Sequence, residues 1–278
     1  MRIKHRYGFS SGNRQVMRFL KRYGIAFQQD ELIGTTVIFE DDDVFTAVRA
    51  FFEKKDVVDV VDAVYDKSEL ETADWLTIKS EWWSQYPEPK ESMGYMFTTY
   101  DASAYCPGID GKYRCGKGLV QKQPFVIKKC PNWGSRNFMM LNWVPDELFV
   151  STKAAAILAE SKLKGFSFLD VLDPSQRPYD SVKQLKVKNH LPKSLAQESV
   201  KERFVCPACG FEKFLTTVGP MKFYKSAFAD IDCDIVKTED AFGEIGCNSM
   251  ILVSHSFYAA IVKNKIGKGL IFEPIEIV

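Results

Sequence analysis

The residues with the clearest chemistry are cysteines. Residues 204–214 contain Cys206-Pro207-Ala208-Cys209-Gly210. Two thiols at this spacing in a tight turn can chelate one tetrahedral ion, while the glycine lets backbone amides turn towards the sulfurs. A redox centre uses the same spacing, but at the start of a helix whose dipole lowers a thiol pKa. Here the alternation of Phe211 and Phe214 continues the chain as strand, which favours a metal knuckle. One knuckle is half a site. Its partner is residues 105–118, where Cys106-Pro107-Gly108 and Cys115-Gly116 bracket the six residues 109–114. Without that insertion the segment reads Cys-Pro-Gly-Cys-Gly, close to the second knuckle. Cys106, Cys115, Cys206 and Cys209 are therefore the expected ligands of a structural zinc ion, a closed shell with no position for water and no metal-activated nucleophile. A shell of Cys206, Cys209, Cys233 and Cys247 competes with it, as does a vacant, degenerate site. Otherwise Cys130, Cys233 and Cys247 read as small apolar residues or incidental thiols.

The elements that must position these thiols repeat. Residues 147–172 and 249–278 both place an apolar strand before a serine, then a helix, then Lys-Gly, then another apolar strand. Val150-Ser151 corresponds to Val253-Ser254, Lys164-Gly165 to Lys268-Gly269, and Phe168 to Phe272. The serines can cap the helix start, and the glycines can take the left-handed conformation that ends it. Two such halves related by a pseudo-twofold would bring equivalent knuckles together.

Upstream, residues 2–9 read as a strand, followed by a helix presenting Val16, Phe19 and Leu20. Residues 31–40 read as a strand bent at Gly34. The acidic triplet 41–43 precedes a helical face of Val44, Phe45, Val48, Phe51 and Phe52, where carboxylates suit a cap and the dipole better than a metal. Residues 57–65 return to strand alternation and 68–76 read as a short helix. The expected fold is mixed α/β, of α+β class: an N-terminal β-α-β-β-α-β layer over residues 1–85, a proline-rich linker at 86–90, and a duplicated domain over 95–278.

Composition excludes several classes. The 278 residues carry 37 basic and 36 acidic side chains, so no global field steers the chain onto nucleic acid or an anionic membrane. The basic residues before Asp30 read as a solvated helix face beside a strand. No stretch reaches the roughly 18 apolar residues of a span, and no signal-peptide core is present. Seven cysteines without an export signal argue for reduced thiols and a cytoplasmic location. His5, His190 and His255 sit in no catalytic motif, and no phosphate-binding glycine loop or dinucleotide fingerprint occurs. Trp82, Trp83 and Tyr86 cluster ahead of the linker; core packing is their default, and an exposed patch would be the first candidate partner site.

Around the knuckles the chain resembles the double-CXXCG motif proteins, a bacterial family some of whose members are assigned as immunity proteins against toxins delivered between cells. The resemblance spans about residues 95–278 and rests on Cys106, Cys115-Gly116, Gln121 or Gln123 with Pro124-Phe125, Cys206, Cys209-Gly210, and the C-terminal serine, helix, Lys-Gly and Phe pattern. The departure is the insertion in the first knuckle. The resemblance implies a non-enzymatic protein-binding role with a toxin as partner; the alternative is an enzyme with a site where the subdomains join.

Overall fold

In Arg2–Ser10, alternation buries His5, Tyr7 and Phe9 on one face of a strand, the pattern of a sheet with one face on a core. The computed structural model describes residues 1–109, 115–243 and 246–278. Its contacts divide it into two units, Met1–Glu69 with Val218–Pro220, and Leu70–Thr217 with Met221–Val278.

The smaller unit is an antiparallel sheet of β1 (Arg2–Ser10), β2 (Gln28–Gln29), β3 (Ile33–Phe39) and β4 (Val58–Val64), in the order β2-β3-β1-β4. Helices α1 (Arg14–Arg22) and α2 (Phe45–Phe52) cover its apolar face through Val16, Leu20, Phe45 and Val48, all packed with Tyr7 and Phe9. Gly34 does not bend β3, whose register against β1 is unbroken. A Cβ there would stand 2.3 Å from the Phe9 ring, so the glycine is a seat for that ring. Nor does the acidic triplet cap α2, which has no side-chain cap. The Asp42 carboxylate accepts from the Phe39 amide at 2.9 Å, and Asp41 pairs with Arg2, so the carboxylates hold the turn. Buried His5 sits between Asp59, at 2.9 Å, and Glu40, at 3.2 Å.

After the short helix α3 (Lys67–Thr72), the larger unit runs through β5 (Trp75–Ser80), β6 (Pro87–Glu88), α4 (Tyr95–Thr98), β7 (Tyr100–Asp101), β8 (Val120–Gln121), β9 (Val126–Ile127), β10 (Phe138–Leu141), β11 (Val144–Ser151), α5 (Thr152–Glu160) and β12 (Phe166–Leu172). It continues with β13 (Pro178–Val187), β14 (His190–Leu191), β15 (Val200–Val205), β16 (Glu212–Thr216), β17 (Met221–Phe223), β18 (Ile235–Phe242), β19 (Asn248–Ser254), α6 (His255–Lys263) and β20 (Leu270–Ile277). One sheet has the order β10-β11-β13-β12-β9-β6; the other has β15-β16-β18-β19-β5-β20-β17, with β14 on β18. The central apolar cluster draws Phe138, Val150 and Leu185 from the first sheet, Ile78, Ile235 and Val253 from the second, and Leu158 and Phe257 from α5 and α6. Strand β5 belongs here, and Pro87 and Glu88 pair with Ile127 and Val126.

The expectation of a mixed α/β, α+β chain in layers is corrected. The molecule is mostly β, 41% strand against 20% helix with six α-helices among the described residues, and its sheets are large and curled. The physical reason is length and partnership. Among the described residues no α-helix exceeds nine residues. Meanwhile segments such as β13 and β18, with Lys, Gln, Asp or Glu on their faces, also pair beyond their hairpin neighbours, β13 with β11 and β18 with β14 and β16, which local periodicity does not register.

Ser151 and Ser254 are the expected helix caps: their hydroxyls accept from the amides of Ala154, at 3.1 Å, and Phe257, at 3.2 Å. The helices end at Ser161 and Asn264, ahead of Gly165 and Gly269. Those glycines instead turn the chain into the next strand with φ of +102° and +81°. Ser254→Ala removes a hydroxyl that also reaches Asp234 at 2.7 Å. It is expected to destabilise the protein by about 1 kcal/mol, read as a lower denaturant midpoint at unchanged slope.

Candidate metal centre

Each knuckle is the tip of a two-stranded ribbon, β7–β8 for the first and β15–β16 for the second. The two turns close with the same hydrogen bonds. Cys106 donates its amide to the carbonyl of Lys117 at 2.9 Å and accepts from the Gly116 amide at 3.0 Å. Cys206 donates to Phe211 and accepts from Gly210, both at 2.8 Å. Gly116 and Gly210 both lie in the left-handed region, at φ +78° and +68°, the conformation this turn requires. The insertion thus leaves the first turn's closure intact; residues 110–114 within it lie outside the described residues.

The sulfurs of Cys106, Cys115, Cys206 and Cys209 all lie within 4.8 Å of one another. Cys106 stands 3.8 Å from Cys206, and Cys115 stands 3.6 Å from Cys209, so each close pair joins one knuckle to the other. Both separations far exceed the roughly 2.05 Å of a disulfide. Four thiols in this volume resist joint ionisation. Burial, then the sulfurs of Cys209 and Cys206, push Cys115 up to about 12. Cys206 falls to about 7 because amides of Ala208 and Cys209 outweigh its burial. A cation removes the conflict by making every thiolate favourable at once, so the cluster could hold a metal ion. The competing shell does not form. The Cys233 thiol donates to the Ile235 carbonyl at 3.6 Å and its Cβ lies 3.0 Å from the position a Gly165 Cβ would take. Cys247 packs against Gly116 instead, and Cys130 is exposed beside Ser181.

Beside the centre is a cleft of about 1020 Å³ whose walls include Pro107, Gly116, Tyr95, Tyr100, Trp143 and Asp146. Burial, then the charge of Asp146, raise Tyr95 to about 12. The three aromatic residues expected as a partner site separate here. Trp82 is half-buried and meets Trp133 edge to face at 5.3 Å. Trp83 and Tyr86 are 44% and 39% exposed, and Tyr86 packs on Trp143, itself 48% exposed. Sequence reasoning missed Trp143. It sits at the turn between β10 and β11 with φ +69°, a strained conformation for a bulky residue, and nothing in the sequence marks it.

A second missed feature lies behind the cleft. Glu147, 4% exposed, accepts from Lys237 at 2.7 Å and from Gln184 at 2.9 Å. Gln184 and Lys186 both also donate to the Gln121 side chain at 2.8 Å. Burial alone would raise Glu147, but Lys237 and Lys186 overcome it and hold the carboxyl below its ordinary value. Burial prevails at Asp146, raised despite Lys237. Among the described residues, no helix is long and apolar enough to cross a membrane. No protein-family model and no curated protein matches this chain.

Lys237→Met would remove the closer of the two lysines that compensate buried Glu147, leaving Lys186 at 3.5 Å, at an expected cost of about 3 kcal/mol, measurable by equilibrium unfolding. Elemental analysis of purified protein is expected to find one metal ion per chain, lost in Cys206→Ser. Because the thiols must release protons to bind it, competition titrations should give affinity that rises with pH.

Proposed function

We propose that this chain is a non-enzymatic protein-binding protein in which Cys106, Cys115, Cys206 and Cys209 hold a structural zinc ion. The observation that carries the reading is the set of four sulfurs gathered from two knuckles. A tetrahedral ion with zinc–sulfur bonds of ~2.3 Å spans sulfurs ~3.8 Å apart, in keeping with separations of 3.8 and 3.6 Å. An all-thiolate donor set suits a soft or borderline ion, and zinc is the redox-inert choice among these. With all four positions filled by protein, the ion supplies a cross-link between chain segments. Reduced thiols, and hence a cytoplasmic location, go with this reading.

A protein partner is supported by the exposed aromatic group of Trp83, Tyr86 and Trp143, since aromatic side chains carry much of the energy of protein interfaces. The resemblance to the double-CXXCG proteins makes that partner a toxin and this chain its immunity protein; that step rests on the motif residues alone. One observation favours an enzyme instead, the raised carboxyl of Asp146 facing the cleft. A general acid needs a companion nucleophile or base, and the thiol that lines the cleft, Cys247, is a poor one, since burial pushes it up to about 11 and keeps it protonated.

Tagged full-length protein used as bait in its native cells is expected to retain one protein, identified by mass spectrometry, in a stoichiometric complex. Trp83→Ala combined with Trp143→Ala should weaken the purified complex at least about tenfold, and co-production should relieve the partner's toxicity. Turnover of a small molecule that Asp146→Asn abolishes, with no protein retained, would overturn the reading.

A further inference from the structure

Residues 75–172 and 178–277 run through one series of pairings twice. In each, a knuckle ribbon, β7–β8 or β15–β16, leads to a short strand that pairs in parallel with the last strand of the series: Val126 of β9 opposite Leu172 of β12, and Lys222 of β17 opposite Glu276 of β20. An antiparallel hairpin follows, β10–β11 or β18–β19, with Phe138 opposite Val150 and Ile235 opposite Val253. Then comes a nine-residue helix capped by Ser151 or Ser254, and the return strand β12 or β20. Ahead of the knuckles, Trp83 bridges in parallel to Met140, as His190 pairs in parallel with Lys237. Likeness in sequence is confined to the knuckles and the strand-helix-strand segments; the pairings extend it over both whole series.

The first strand of each series breaks the pattern in one respect. In the first sheet, the strand between β11 and β12 is β13, with Val182 opposite Ser151 and Leu185 opposite Phe168. In the second, the strand between β19 and β20 is β5, with Trp75 opposite Ser254 and Ile78 opposite Phe272. The register is the same in both, since the residue facing the capping serine lies three positions before the one facing the phenylalanine. Yet β5 opens the first series and is housed in the second sheet, and β13 opens the second and is housed in the first. We propose that residues 75–172 and 178–277 are two copies of one folding unit that have exchanged their first strands, so that backbone hydrogen bonds interlock the halves and the four-cysteine centre ties only the knuckle tips.

The physical consequence is cooperative. Withdrawing β5 exposes unpaired edges on β19 and β20, and withdrawing β13 does so on β11 and β12, leaving buried amides and carbonyls without partners. Neither half can open without unzipping the other. The only covalent link between the copies is the exposed turn at residues 173–177, closed by Asp173 accepting from the amides of Ser175, at 2.7 Å, and Arg177, at 3.0 Å. This inference stands whether or not zinc is bound, and the test separates the two questions.

A protease site inserted into that turn of the full-length chain permits cleavage after folding. The expected result is two fragments that co-elute in gel filtration with a chelator present and separate only in denaturant. Fragments that part under native conditions with chelator would overturn the interlock. Should the insertion impair folding, native-state hydrogen exchange on the unaltered protein gives the same decision. Amides of β5 and β13 should share one opening free energy and one denaturant dependence, retained when a chelator is added. Separate openings, or loss of protection in β5 and β13 on chelation, would sink the proposal. Metal content measured on the same samples decides the zinc reading independently.

Discussion

A strand inside a sheet must satisfy its amides and carbonyls on both edges, because burial leaves no water to do so. In the larger unit that requirement is met at long range for β5, flanked on both sides by antiparallel neighbours from a distant part of the chain, and for β13, held between the preceding strand β12 and the more distant β11. Their placement decides the rest of the unit. With both strands seated, α5 and α6 pack with strands of both sheets around a single central cluster. The same arrangement brings β11 and β18 close enough for Lys237 to reach Glu147 at 2.7 Å. A buried ion pair of this kind is poor evidence for added stability but specific in its demand for position. It tolerates no slippage between the strands that carry it.

The cysteine centre is downstream of that framework. Thiols 100 and 94 residues apart in the chain lie 3.8 and 3.6 Å apart in space, and such groups, when ionised, repel one another. Hydrogen bonding within each turn brings a cysteine pair together, and the tertiary fold brings the two turns together. An ion at the centre would gain from both, since the geometry is largely organised before it arrives. The neighbouring cleft shares its parts. Pro107 and Gly116 of the first knuckle form some of its wall, and Gly116 lies so close to Cys247 that a Cβ would stand 2.7 Å from that side chain. Local order at the knuckle and the shape of the cleft are therefore coupled.

Features governed by near neighbours were legible in the residues. The knuckle turns, the serine caps, the helical faces of α1 and α2 and the alternation of β1 depend on contacts within a few positions of one another, and residue spacing reports such contacts directly. The gathering of Cys106, Cys115, Cys206 and Cys209 was legible for a related reason: thiols that meet in one cluster come in pairs near in the chain, and only two segments supply such pairs. The strand-helix-strand likeness was visible too, although the glycines in it were assigned to helix ends when they serve the following turns.

What stayed hidden has long-range causes. The mostly β character arises because β13 and β18 carry polar residues that a local pattern does not assign to strands; beyond their hairpin neighbours, β13 pairs with β11 and β18 with β14 and β16, edges that exist only once the sheets form. The polar network of Gln121, Glu147, Gln184 and Lys237 draws on four strands, and Trp143 acquires its place in the cleft wall from a strained turn. By itself the sequence determined the turn chemistry, the caps and the identity of the thiols, since each depends on residues adjacent in the chain. Tertiary structure alone decided which sheet houses β5 and β13, and with that the meeting of the two knuckles, because hydrogen bonds between distant strands leave no periodic trace in the residues that make them.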